Sequence, residues 1–106
     1  MKQCKITVLE RQFNGKLVRE YSFDDFDKCP VFEDGQVFNT YFEKPDGFCD
    51  EAWKAIYQYV FALAHGVDTF YFNDWVKEPG VAICCCNDGL RPVVFKVEKV
   101  DGDTQD

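Results

Sequence analysis

The sequence lacks several features that define common functional classes. It has one histidine, His65, and only 12 Lys plus Arg residues against 19 Asp plus Glu, which gives a formal net charge of -7. A chain this acidic repels phosphate backbones and anionic lipid headgroups, so we expect neither nucleic acid nor a membrane as a partner. No stretch approaches the roughly 20 apolar residues of a membrane-spanning helix. Neither a glycine-rich dinucleotide loop nor a P-loop pattern occurs.

The start of the chain also lacks an apolar signal core, because the first residues run directly into strand-like alternation. We therefore expect a cytoplasmic protein. Its six cysteines are then more typical of reduced thiols, a metal site or a redox site than of structural disulfides. The 106 residues, 17% of them aromatic, fit one compact domain. We expect that domain to span residues 1–101, followed by a flexible acidic tail over residues 102–106.

Five segments have the composition and alternation of β-strands. They are residues 5–11, 16–21, 36–42, 81–86 and 91–100. Asn14-Gly15 predicts a β-hairpin between the first two strands, and Asn87-Asp88-Gly89 predicts one between the last two. The acid-rich residues 22–28 are typical of a solvated loop.

One helix is predicted, starting near Cys49–Glu51 and ending at His65, with Asp46 or Asp50 as N-cap and Gly66 as the left-handed residue after its end. Its apolar stripe consists of Cys49, Trp53, Ile56, Tyr57, Val60, Leu63 and Ala64. The order βββαββ predicts an α+β domain with a twisted, mostly antiparallel sheet of about five strands covered by one helix. The strands could also curl into a partly open barrel. His65 is interpreted as a residue that caps the last helical turn.

Cysteines 84, 85 and 86 are consecutive, so Cys84 and Cys86 project to one face of a strand and Cys85 to the other. If the following turn has two residues, Cys84 lies opposite Val93, and the face of Cys84 and Cys86 is the core face. A change of one residue in the loop exchanges the two faces.

The cysteines admit three interpretations. Together with Cys29 and Cys49, those of the last hairpin could supply thiolates to zinc or iron, although no C-x2-4-C pair typical of structural zinc is present. They could instead be small buried hydrophobic residues. Cys49 could also be a reactive thiol, because a helix N-terminus favours a thiolate, while the neighbouring Asp50 and Glu51 oppose it.

The segment Phe70–Trp75 has four aromatic residues in six positions. It is either a lid packed over the end of the core or an exposed apolar patch. An exposed patch would mediate homodimerisation or line a ligand pocket.

Three motifs carry a resemblance to a known family. Residues 29–32, 47–53 and 86–96 match the patterns C-P-x-F, G-F-C-x-x-A-W and C-x-D-G-x-R-P-V-x-F-K. In these motifs the chain resembles a family of small uncharacterised prokaryotic proteins of about this length. The resemblance spans most of the chain, and the family brings no established activity with it.

The resemblance implies which residues matter most. The motif positions are Cys29, Cys49, Cys86, Trp53, Asp88, Gly89 and Arg91, with Cys85 at a frequent second position. We therefore predict a cysteine-based metal or iron–sulfur site formed by Cys29, Cys49, Cys85 and Cys86, with Asp88 and Arg91 as further binding residues. On this reading the protein is a binding or accessory module. The alternatives are a thiol redox or nucleophilic enzyme that uses Cys49 or Cys86, and a homodimeric interaction protein without a site.

Overall fold

A computed structural model describes residues 1–104 and the side-chain surroundings of residues 1–100. The elements are β1 (Lys2–Arg11), α1 (Gly15–Tyr21), β2 (Val37–Thr40), α2 (Asp50–Ala64), a 3-10 turn (Tyr71–Asn73), β3 (Val81–Cys85) and β4 (Val93–Thr104). The fold class is α+β, as predicted. The order of the elements is βαβαββ and differs from the predicted βββαββ.

The strands form one antiparallel sheet in the order β2-β1-β4-β3. The described part of the chain has four strands rather than five, because one predicted strand is helical. The sheet is also open rather than barrel-like, since β2 and β3 lie at opposite edges and do not pair with each other within residues 1–104.

The central strands β1 and β4 form the floor of the core. Ile6 lies opposite Val97 and Val8 lies opposite Phe95, and all four side chains are completely buried. Each such side chain contributes about 1.5–3 kcal/mol through removal of its apolar surface from water. The alternation along these strands therefore fixes which face of the sheet the helix covers.

The predicted hairpin at Asn14-Gly15 is wrong. The backbone N–H of Asn14 donates to the Leu90 carbonyl at 2.8 Å, and its side-chain amide donates to the Gly89 carbonyl. Gly15 is the first residue of α1 and lacks the positive φ that a hairpin turn would require. The residues after it favour a helix in the absence of a strand partner, because Lys, Leu, Arg and Glu are good helix formers.

The predicted helix is confirmed as α2. Gly66 follows its end with φ +102°, and the N–H groups of Gly66 and Val67 donate to the carbonyls of Leu63 and Ala62, a Schellman motif. The N-cap is Cys49 rather than Asp46 or Asp50.

The stripe of α2 that faces the core differs slightly from the predicted one. The helix residues that are buried are Ala52, Ile56, Val60, Leu63 and Ala64. Tyr57 was expected in the stripe but is 38% exposed. The small side chain of Ala52 takes a place against the core instead, and this lets the start of α2 lie close to the sheet.

The last hairpin is confirmed, with a loop longer than two residues. Cys84 lies opposite Phe95, not opposite Val93 as predicted. A shift of two residues leaves the faces unchanged, so Cys84 does point to the face of Val93 and Phe95.

Strand β4 extends to Thr104, which pairs with Lys2, so the predicted tail overlaps β4 by three residues. Residues 105–106 lie outside the described part of the chain. Among the described residues, no helix has both the length and the apolar character needed to cross a membrane.

Candidate functional site

The three cysteines at the motif positions line one cavity. Cys29, Cys49 and Cys86 border a space of about 330 Å³ beside the start of α2. Each side chain is partly buried and packs against the hydrophobic core. The remaining lining residues are Val31, Phe32, Glu51, Ala52, Asn87, Asp88, Arg91 and Val93. The lining of the cavity therefore combines three cysteine side chains with several apolar side chains and a small group of charged ones.

Cys49 reaches the cavity because it is the N-cap residue of α2. Its backbone is extended, with φ -66° and ψ 131°, and its carbonyl accepts the first helical hydrogen bond from the Trp53 N–H at 2.9 Å. Its side chain makes no capping hydrogen bond to the first turn of α2. Cys49 thus lies at the N-terminus of a 15-residue helix, which is the positive end of the helix dipole.

Cys86 reaches the cavity from the end of β3. Its N–H donates to the Val93 carbonyl at 3.1 Å, which extends the ladder by one pair beyond the strand. The Val93 N–H donates in return to the Cys86 Sγ at 3.3 Å. This hydrogen bond fixes the position of the Cys86 sulfur at the cavity.

Arg91 lines the same cavity and is held by three contacts. Its Nε lies 3.5 Å from the Asp88 Oδ2, its guanidinium carbon lies 4.2 Å from the centre of the Phe26 ring, and its Nη1 lies 3.4 Å from the Asp27 carbonyl. Asp88 is in turn fixed because its Oδ1 accepts the Leu90 N–H at 2.8 Å. The lining of the cavity thus includes a positioned cation that is paired with the Asp88 carboxylate.

The acidic residues that oppose a thiolate at Cys49 both have lysine partners. Asp50 bonds to Lys44, and Glu51 lies 2.9 Å from Lys54. The hydrogen bond from Lys44, and next its charge, hold the pKa of Asp50 below its usual value. These ion pairs are exposed and therefore weak, but they offset part of the negative charge around the start of α2.

Cys85 does not lie with the other predicted site residues. It follows the alternation of β3 onto the opposite face of the sheet, opposite Val94, and its side chain is exposed. The predicted set of Cys29, Cys49, Cys85 and Cys86 is thus reduced to three thiols at the cavity.

Cys4 and Cys84 lie under α2 and are not part of the cavity. Cys4 is completely buried, and its thiol lies 3.6 Å from the Val60 carbonyl. Burial raises the pKa of Cys4 to about 11, although the charge of Lys99 acts in the opposite direction. Burial, and then the neighbouring Cys85, raise the pKa of Cys84 to about 12. Both thiols are therefore kept protonated.

His65 has the capping role that was predicted. It follows the last residue of α2, and its Nδ1 lies 2.8 Å from the Phe61 carbonyl. Helix α2 separates it from Cys49 by roughly 24 Å, since each residue of a helix adds about 1.5 Å. A cysteine–histidine pair at the cavity is therefore excluded.

Sequence reasoning missed the contact that closes one side of the cavity. The Asn87 side-chain amide donates to the Glu51 carbonyl at 3.3 Å, which ties the loop after β3 to the first turn of α2. Asn87 was interpreted only as a turn residue, and Glu51 only as a charge near Cys49. No pattern in the sequence links positions 36 residues apart.

Within residues 1–100, no group of three or more His, Cys, Asp or Glu side chains is placed to hold a metal ion. A metal bound by the three cavity thiols would thus require those side chains to move closer together.

Comparison of the chain with protein-family models, curated proteins and solved structures finds no match. The resemblance in the three motifs stays a prediction.

Proposed function

We propose that the cavity is a thiol–disulfide exchange site in which Cys86 is the attacking thiol and Cys49 is the second one. The observation that carries the proposal is the convergence of Cys29, Cys49 and Cys86 on one cavity that Arg91 also lines. The hydrogen bond from the Val93 N–H to the Cys86 sulfur supports Cys86 as the first nucleophile, because it holds that sulfur at the cavity where a substrate disulfide would bind.

The exchange takes place in two steps. The Cys86 thiolate attacks one sulfur of a substrate disulfide, a mixed disulfide forms, and the first substrate sulfur leaves as a thiolate that takes a proton from water. The Cys49 thiolate then attacks the Cys86 sulfur and releases the second substrate thiol. The substrate gains two electrons, and the two cysteines lose them and end as an internal disulfide.

A small aromatic disulfide that releases a coloured thiolate tests this proposal. With the reduced protein we expect a fast release of two thiolates per chain and an internal disulfide between Cys49 and Cys86, mapped by mass spectrometry. Cys86→Ser should abolish the fast phase, whereas Cys49→Ser should stop the reaction at a mixed disulfide.

Cys85→Ser is the matched control, because Cys85 is the sequence neighbour of Cys86 and is more exposed. That variant should keep the fast phase. Loss of the fast phase in Cys85→Ser, with normal release by Cys86→Ser, would contradict the proposal.

The six cysteines are free in the structure, and this supports a reducing compartment, the cytoplasm, as the location.

Binding of zinc or an iron–sulfur cluster is the second candidate, because three thiols on one cavity are a soft donor set. Elemental analysis and an absorption spectrum of protein purified without oxygen or chelator test it. Near-stoichiometric zinc or iron would favour metal binding over exchange. A metal-free protein that carries out the exchange reaction would favour the first proposal.

A further inference from the structure

The outer edge of β3 carries backbone groups that point away from the sheet. Hydrogen bonds join Gly80 to Lys99 and Cys86 to Val93 at the two ends of the β3–β4 ladder. Bonded pairs alternate with non-bonded pairs in an antiparallel ladder, so the even-numbered residues of β3 bond to β4. The N–H and C=O groups of Val81, Ile83 and Cys85 therefore point outward. No hydrogen bond joins these outward groups to another described residue.

Strand β3 also lacks the protection that edge strands usually have. Its sequence, Val-Ala-Ile-Cys-Cys, contains no charged residue and no proline. Ile83 is 46% exposed. Natural edge strands usually carry lysine, proline or a bulge, because an unprotected edge pairs with further strands.

A groove of about 470 Å³ follows this edge, between β3 and α2. Its lining contains one charged residue, Lys54, and no acidic residue. Three other clefts each contain at least two acidic side chains. For a chain of net charge -7, a groove without acidic residues is a surface on which a second copy meets little repulsion.

A strained aromatic segment borders the groove. Tyr71, Phe72 and Asn73 all have positive φ, between 54° and 69°, a conformation that bulky side chains rarely adopt. Tyr71 lines the groove, bonds to the Tyr59 hydroxyl and stacks on Trp75 with ring centres 4.3 Å apart. In the same segment, Phe72 is 95% exposed and Trp75 is 71% exposed.

We propose that β3 pairs in an antiparallel manner with β3 of a second copy of this chain, and that the Phe70–Trp75 segment flanks the resulting interface. Pairing about Ile83 places Val81 opposite Cys85 of the partner and brings every outward N–H against a C=O. The strand is thus complementary to itself, with only apolar side chains along the contact. The partner is a second copy because the pairing is symmetric about Ile83. The groove beside β3 also has no acidic residue that would repel another chain of net charge -7.

Light scattering in the presence of a thiol reductant tests the proposal, since reductant removes dimers linked through Cys85. We expect twice the monomer mass of 12.3 kDa. Ile83→Pro should give the monomer mass, because it removes an outward N–H that the β4 ladder does not use. Ile83→Lys, which brings two like charges together, should do the same if the proline variant does not fold.

Ile83→Thr is the matched control. It keeps the N–H and the branched side chain, so its mass should stay that of the dimer. Amide hydrogen exchange gives a second readout: exchange at Val81, Ile83 and Cys85 should slow as protein concentration rises, while exchange at Ala82 and Cys84 should not change.

A monomer at every concentration would overturn the proposal. It would also be overturned by a dimer that survives Ile83→Pro and Ile83→Lys but is lost in Trp75→Ala, since the aromatic segment alone would then form the interface. Cys86 and Asn87 line both the groove beside β3 and the cavity, so the oligomeric state and thiol exchange are measured separately on the wild type and the same Ile83 variants. A monomeric wild type that still exchanges would overturn only the dimer.

Discussion

Cys84 and Cys86 point to the same face of the sheet from positions two residues apart, yet their sulfur atoms have different surroundings. Cys84 lies under α2, where burial raises its pKa to about 12. Cys86 lies beyond the end of β3, where its sulfur accepts the Val93 N–H and borders a cavity. The position of a thiol relative to the start of α2, and not the face it occupies, therefore decides whether it is available for chemistry.

The same contrast separates Cys4 from Cys49. Cys4 is completely buried beneath the middle of α2, whereas Cys49 is the N-cap residue of that helix. Desolvation raises the pKa of Cys4, whereas Cys49 lies partly buried at the N-terminus of the helix and lines the cavity. The helix thus separates a protected pair, Cys4 and Cys84, from the three thiols that line the cavity, and the sixth thiol, Cys85, is exposed on the other face of the sheet.

The largest expected effect is in the reactivity of the protected pair. At about pH 8 a thiol with a pKa of about 12 is ionised roughly a thousandfold less than one at the ordinary value of 9.0, and a thiol with a pKa of about 11 roughly a hundredfold less. Cys84 and Cys4 should therefore be alkylated much more slowly than the exposed Cys85.

Peptide mapping after timed addition of iodoacetamide measures these rates. The protein unfolded in denaturant is the control, because all six cysteines should then react at similar rates. Equal rates for Cys84 and Cys85 in the native protein would remove the contrast between the two environments.

The next effect is on stability at alkaline pH. The folded protein holds Cys4 protonated up to a pKa of about 11, whereas the unfolded chain releases this proton near 9.0. The unfolded state therefore binds fewer protons between these values, and the free energy of unfolding falls as pH rises. Cys4 alone should account for a loss of roughly 2–3 kcal/mol, at about 1.4 kcal/mol for each pKa unit.

Denaturant unfolding of the wild type and of Cys4→Ala across this pH range checks the prediction. The alanine variant should be less stable at neutral pH, because it leaves a small void in the core, but its stability should fall less steeply above pH 9.0. Parallel curves for the two proteins would show that Cys4 titrates normally.

A smaller effect is expected at the cavity from Arg91. Arg91→Gln removes the positive charge beside the thiols and should slow alkylation of Cys49 and Cys86 roughly two- to fivefold. Cys85 should be unaffected, because it lies on the other face of the sheet.

Arg91→Lys is the control for charge and should keep most of the rate. Since the ion pair of Arg91 with Asp88 is partly exposed, the glutamine variant should lose less than about 1 kcal/mol of stability. A uniform change at all three cysteines would indicate a general loosening of the fold rather than a local effect.

Part of this arrangement could be predicted from the sequence. Alternation along β3 separates Cys85 from Cys84 and Cys86, and the apolar stripe of α2 places Cys49 at its start. The motifs indicated Cys29, Cys49 and Cys86, which do line one cavity. Local patterns carry this information because they repeat with the period of the strand or the helix.

The rest depends on contacts between distant residues. Asn14-Gly15 predicted a hairpin, but β1 pairs with β2 and β4 and its end bonds to the loop at Leu90. The tie between Asn87 and Glu51 has no local signal either. Propensity and turn residues describe neighbours in the sequence, and long-range pairing overrides them where the two conflict.

The most direct test of the thiol site is the order in which the cysteines of the native, reduced protein react with a limiting amount of iodoacetamide. We predict that Cys86 is modified first and Cys49 next, both ahead of the more exposed Cys85, because the Val93 N–H holds the Cys86 sulfur at the cavity and Cys49 lies there at the start of α2. If Cys85 reacts first and the cavity cysteines follow only according to their exposure, the cavity does not activate its thiols, and the proposed exchange site is contradicted.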